Sequence, residues 1–173
     1  MKLYSSKIKP IAQEMTRALI NQEAIEVDDG KAAEVELDIE STLKEYLRFD
    51  REINDEARAL VEKRGLDYSA FGRTKRDLAK RENFGIGEDA LAWIMDQLIE
   101  LLLYTPHVEE VYFEDNKLRL VIRPILRKHM EVDEDLDEEV RKRIKNLSEG
   151  STSWDIKYEQ VMKDMKRRKG LED

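Results

Sequence analysis

Residues 35–61 read VELDIESTLKEYLRFDREINDEARALV, and the spacing of their apolar positions decides the fold class. Val35, Ile39, Leu43, Tyr46 and Leu47 follow one another at helical intervals, and so do Ile53, Ala57, Leu60 and Val61. A helix with one buried face has this period, because about 3.6 residues complete a turn. Asp50 and Asn54 carry side-chain oxygens suited to the unpaired N–H groups of a first helical turn, so two helices parted near these residues are predicted. Upstream, Ile8, Ile11, Ala12, Met15, Ala18 and Leu19 predict another helix, with Asp28-Asp29-Gly30 as the break after it. Gly65 supplies the final stop. Residues 1–65 are thus expected to form a unit of three helices.

The same apolar register returns downstream. Displaced by 83 positions, 8–64 aligns with 91–147 without a gap, placing Ile11 on Ile94, Leu19 on Leu102, Leu37 on Leu120, Ile39 on Ile122 and Leu43 on Leu126. Of 24 apolar positions in the first segment, 17 meet an apolar residue in the second, against about 11 by chance. The expectation is an all-α chain of two tandem three-helix units related by internal duplication, plus a C-terminal helix. Pro106 ends the first helix of the second unit, Asp115 caps the next, and Asp135 or Asp137 caps the third. Pro124 lies inside 117–130, where it removes a backbone donor and is expected to kink the helix. The competing reading of that region is a hairpin of Val111–Phe113 with Leu118–Val121.

The chain therefore divides into a first helical unit at 1–65, a basic linker at 66–87, a second helical unit at 88–148 and a C-terminal amphipathic helix at 149–173. The linker carries Gly72, Gly85 and Gly87 and a short helical stretch from about Thr74. Residues 148–151 form a turn. Beyond it Trp154, Tyr158, Val161, Met162 and Met165 share one helical face, expected to dock on the second unit.

The charge and composition exclude more than they identify. The 173 residues hold 39 acids and 31 bases, a net charge of −8, and no cysteine. Disulfides, zinc-thiolate centres, iron–sulfur clusters and cysteine nucleophiles are ruled out. The overall field repels nucleic acid and anionic membranes unless bases cluster. No continuous apolar stretch marks a secretory signal or a bilayer span, and 91–104 is interrupted by Asp96, Gln97 and Glu100. A cytoplasmic location is expected, with no membrane partner. Few amide side chains and abundant Glu, Lys and Arg suit a heat-adapted protein melting above about 55 °C.

Met1-Lys2-Leu3-Tyr4-Ser5-Ser6-Lys7-Ile8, Asp38-Ile39-Glu40-Ser41 and Leu43-Lys44-Glu45-Tyr46-Leu47 resemble stretches of a bacterial family catalogued only as a domain of unknown function, number five hundred and seven in its series. Similar matches lie at residues 137–144, in Glu149-Gly150-Ser151, in Trp154-Asp155-Ile156-Lys157-Tyr158 and at residues 166–171. The resemblance spans nearly the whole chain. It implies no settled activity, substrate or cofactor, so it carries no catalytic residue to any position here.

Two basic clusters stand out against the acidic average. Arg73, Lys75, Arg76, Lys80 and Arg81 lie in the linker, and Lys166, Arg167, Arg168 and Lys169 end the last helix. Either can grip phosphates, with Tyr68 or Phe71 stacking a base. The plain alternatives are that the terminal run complements a helix C-terminus and that the linker bases neutralise the acidic stretch 131–139. That stretch lacks calcium-loop spacing. His107 and His129, 22 residues apart, lack the spacing of a metal motif, and glycine-rich phosphate loops and serine-nucleophile motifs are missing. No catalytic, cofactor or metal residue is assigned. The expected function is a non-catalytic helical adaptor or scaffold that binds a protein partner or itself, with Trp154 and Tyr158 as candidate anchors. The alternative is a nucleic-acid-associated factor using both basic clusters. An enzyme using carboxylates and histidine is the least supported class.

Overall fold

A computed structural model describes residues 1–171. The chain is all-α, apart from two short strands: α1 (Ser5–Asn21), β1 (Ile25–Glu26), α2 (Ala32–Lys63), α3 (Phe71–Arg81), α4 (Ala90–Tyr104), β2 (Glu110–Val111), α5 (Asp115–Met130), α6 (Val132–Arg143) and α7 (Thr152–Arg168). Helix α1 packs on α2 and α5, and α4 packs on the same two, making a bundle of α1, α2, α4 and α5. Ile11, Met15, Leu19, Ile39, Leu43, Leu98, Leu102, Leu118 and Ile122 fill its centre and are shut off from solvent. These are the residues whose helical period the sequence displays. Among the described residues no helix is long and apolar enough to cross a membrane.

The break expected near Asp50 or Asn54 does not occur. Helix α2 runs unbroken for 32 residues, about 48 Å at 1.5 Å per residue. Asp50 does not cap; it accepts hydrogen bonds from Asn54 one turn on, at 3.4 Å, and from Lys75 of α3, at 2.9 Å. Arg48 joins Glu45 behind it and Glu52 ahead of it, at spacings that face each other on a helix. The stop at Gly65 is as expected. Its φ is +59°, and Gly65 and Leu66 donate their N–H groups to the carbonyls of Glu62 and Val61.

The second half departs elsewhere. Pro124 lies inside α5, which continues through it to Met130, and the carbonyl it leaves without a helical partner is that of Leu120, a residue 75% exposed. The hairpin reading fails because residues 118–121 are helical and β2 pairs with β1, Ile25 facing Val111 and Glu26 facing Glu110. Neither Asp135 nor Asp137 caps the next helix, since α6 already starts at Val132. The stretch taken as a linker contains α3, packed on α2 and contributing Leu78, Ala79 and Phe84 to the main core. Helices α6 and α7 pack on each other around a second core of Tyr4, Leu136, Val140, Ile144, Met165 and Leu171. Ser151 starts α7 by accepting the Trp154 N–H at 3.2 Å.

Displacement by 83 positions carries 5–21 onto 88–104, beside α4 at Ala90–Tyr104, and carries Ala32 onto Asp115, the first residue of α5. It carries 71–81 onto 154–164, inside α7, and Gly87 onto Gly170, with φ values of +60° and +63°. The strands do not follow the same displacement: 25–26 moved by 83 positions is 108–109, whereas the partner strand β2 is Glu110–Val111.

Candidate functional site

The basic residues of α3 divide into two groups. Lys75 pairs with Asp50 at 2.9 Å, and Arg81 pairs with Glu56 and Glu82. These two fasten α3 to α2. Arg73, Arg76 and Lys80 are exposed and make no ion pair among the described residues. Arg76 and Lys80, four residues apart, line an open groove of about 1020 Å³ with Asn83 and Trp93, whose other side carries Glu88, Asp89 and Asp96. The groove is electrically mixed. Tyr68 and Phe71 stack on each other, with ring centres 5.7 Å apart.

At the other cluster the acids and bases meet. Lys166 reaches Asp133 at 3.2 Å and Lys169 reaches Glu139 at 3.5 Å, while Arg167 pairs with Asp164 and Arg168 is exposed. The acids at 131–139 are answered by Arg127, by the N-terminus, by Arg141, Lys142 and Arg143 of α6 and by Lys166 and Lys169, while of the linker bases Lys75 and Arg81 answer acids of α2. Trp154 and Tyr158 stack at 5.0 Å on α7, with the guanidinium of Arg141 over both rings. The Tyr158 hydroxyl donates to Asp137. Burial, then this bond to a carboxylate, pushes the Tyr158 phenol up to about 12, and the same bond with help from Arg141 holds Asp137 below its ordinary value. The two aromatics are half-buried, packed against the second core.

Each histidine joins the two halves. His107 Nδ1 lies 2.7 Å from Asp38, which also accepts from the Thr105 hydroxyl, and His129 Nε2 lies 2.8 Å from Glu14. The bond to His129, then that from Lys128, holds Glu14 below the usual carboxylate range. Among the described residues no group of three His, Asp or Glu is placed to hold a metal ion.

A surface missed at the level of sequence lies between α2 and α4. Glu45 and Phe49 on α2 face Trp93, Gln97, Leu101 and Tyr104 on α4 across a groove of about 690 Å³. Its floor is aromatic. Phe49 and Trp93 continue into a ring cluster with Tyr46 and Phe84, and the Tyr46 hydroxyl donates to the Gly85 carbonyl at 3.1 Å. Burial raises the Tyr46 phenol. At Gly85 a Cβ would lie 2.5 Å from that of Trp93 and 2.6 Å from the Asp89 carbonyl oxygen, so only glycine fits. The signal was present in the helical phase: Tyr104 and Phe49 fall outside the core stripes of their helices.

A comparison with curated proteins returns no match. The model of one family, described as a protein of unknown function (DUF507), matches residues 1–171, nearly the whole chain. The resemblance noted at the two ends and along α2 is thereby extended over both halves, and the chain belongs to the DUF507 family.

Proposed function

We propose that this protein is a non-catalytic, duplicated helical interaction module of the cytoplasm that takes a helix of a partner protein into the groove between α2 and α4. The groove carries the reading. Its walls are residues four apart on two neighbouring helices, its floor is apolar, and Tyr104 at its end is 79% exposed. A helix laid in such a groove buries one face at i, i+3, i+4 and i+7 positions. The duplication is supported by the displacement of 83 positions that carries the first residue of α2 onto the first residue of α5 and the last residue of α1 onto the last residue of α4. Affinity capture from the native cell, with and without nuclease, tests the function. A partner retained after nuclease treatment and lost from a Phe49→Ser/Tyr104→Ser variant supports it; capture indifferent to that variant overturns it.

The second reading is nucleic-acid association through α3. One observation favours it: Arg73, Arg76 and Lys80 are exposed and make no ion pair among the described residues. Binding through these residues weakens steeply as salt rises. Absence of binding at about 50 mM salt ends this reading.

A further inference from the structure

Residues 58–81, which cover the end of α2, the turn after it and α3, hold eight bases against three acids in a chain whose net charge is −8. Arg58, Lys63, Arg64, Arg73, Arg76 and Lys80 are exposed and make no ion pair among the described residues. Of the three acids, Asp67 is engaged locally, accepting the Ser69 N–H at 2.9 Å. Positive charge is thus gathered on one helical hairpin, while the acidic remainder of the chain repels anions.

The turn of this hairpin carries an aromatic pair. Tyr68 and Phe71 lie parallel within 2°, with ring centres 5.7 Å apart. The Arg58 guanidinium sits over the Phe71 ring, 6.0 Å from its centre. Tyr68 is 71% exposed, so the outer side of the stack is open to solvent. One turn on, the Arg76 guanidinium reaches back over Gly72, its Nη1 lying 3.8 Å from where a Cβ there would be. A second cation is thereby held beside the segment that carries the rings. Arg73, Arg76 and Lys80 follow one another at i, i+3 and i+7, which places them on one face of α3 over about 10 Å.

We propose that the α2–α3 hairpin binds single-stranded nucleic acid, an unpaired base stacking on Tyr68 and the phosphates lying along Arg73, Arg76 and Lys80. A strand that advances about 3.4 Å per phosphate presents about three of them over that face. Stacking on a side chain needs a base with a free face, which the interior of a duplex does not offer. An acidic peptide and an anionic membrane answer the charges alone; the exposed stack is what favours nucleic acid. The proposal rests on the second reading, nucleic-acid association through α3, and adds the state of the strand and the ring that holds a base. None of these residues lines the groove between α2 and α4, so hairpin and groove can be occupied together.

The test uses the full chain and labelled oligo(dT) and oligo(U) of about 12 nucleotides, a DNA duplex of equal length, a polyglutamate peptide and vesicles containing phosphatidylserine. At about 50 mM salt one or both single strands are expected to bind about tenfold more tightly than the duplex, and the preference between them identifies the sugar. Three phosphate contacts give a slope near about −2 for log K against log salt, and R76Q/K80Q is expected to flatten it by about 1.4. Tyr68→Ala, checked for native circular dichroism, is expected to weaken binding about tenfold with the slope kept, whereas Tyr68→Phe binds as wild type does. Indifference to Tyr68→Ala, a duplex bound as tightly as the single strands, or equal binding of polyglutamate or vesicles overturns the proposal. Duplex binding that weakens steeply with salt overturns it while leaving the nucleic-acid reading in place. If no probe binds at about 50 mM salt, both fall.

Discussion

Helix α2 continues from Ala32 to Lys63, whereas the stretch of similar apolar pattern 83 positions downstream divides at Glu131 into α5 and α6. The apolar period persists through both, so it does not account for the difference. The order of the charges does. In α2, Glu45, Arg48 and Glu52 alternate in sign at helical spacing and pair along the exposed face of the helix, which favours its continuation. In the second half Arg127, Lys128 and His129 come first and Asp133, Glu134 and Asp135 follow. Cations suit the carbonyl end of a helix and anions its amide end, so this order favours a stop and a new start. The Met130 carbonyl left at the stop accepts the Lys2 N–H at 3.0 Å.

The consequence reaches the tertiary level. With α2 unbroken, α3 lies along it and adds Leu78, Ala79 and Phe84 to the main core. With the downstream stretch broken at Glu131, α6 and α7 form a core of their own, joined to the N-terminus by Tyr4, while the adjacent Leu3 enters the main core. Two halves with one apolar pattern thus hold their last helices in different ways, one fused to the bundle and one clasped beside it.

The contrast can be broken from either side. Gly85→Ala attacks the fused side, where the Cβ meets Trp93 and the backbone of Asp89; a loss of more than about 3 kcal/mol is expected in chemical denaturation. A loss under about 1 kcal/mol would mean that the loop gives way and α3 is held more loosely than described. Tyr4→Ala attacks the clasp. Removing a side chain only 1% exposed is expected to cost about 3 kcal/mol, with amide exchange accelerating at 132–168 ahead of 8–130. Uniform acceleration would show that the two cores open as one.

Smaller changes sharpen the comparison. Tyr158→Phe removes the donor to Asp137 and is expected to cost about 1 kcal/mol. Because Asp137 titrates below its ordinary value in the folded chain, its contribution is present above the unfolded value of 3.8 and lost as pH falls through the folded one. The variant should therefore lose stability less steeply than wild type below about pH 4; identical acid profiles would remove the bond from the account. Arg48→Ala is expected to leave the Tm nearly unchanged, since exposed pairs contribute little once the helix is packed. A large drop, or fraying at 49–63, would show that the charge order of α2 holds the helix together in the folded protein as well as favouring it.

Much of the bundle was legible in the chain. The stripes of α1, α2, α4 and α5, the stop at Gly65 and the turn at 148–151 depend on residues within a few positions of each other. The helix boundaries inside 35–61 were not. Asp50 and Asn54 look like caps until Lys75, 25 residues away, is seen to take one oxygen of Asp50. The basic clusters were legible as charge and illegible as surface: Lys75 and Arg81 pair with α2, and Lys166 and Lys169 pair with the acids of α6 and its first turn.

By itself, then, the sequence determined the all-α class, the buried face of each bundle helix and the family, because period, glycine stops and end motifs act locally. Tertiary structure alone decided which of two equally patterned halves stays fused, which bases meet an acid, and that Phe49 and Tyr104 border one groove. Each of those outcomes depends on which distant charge or ring arrives within a few ångströms, and no period along a single chain contains that distance.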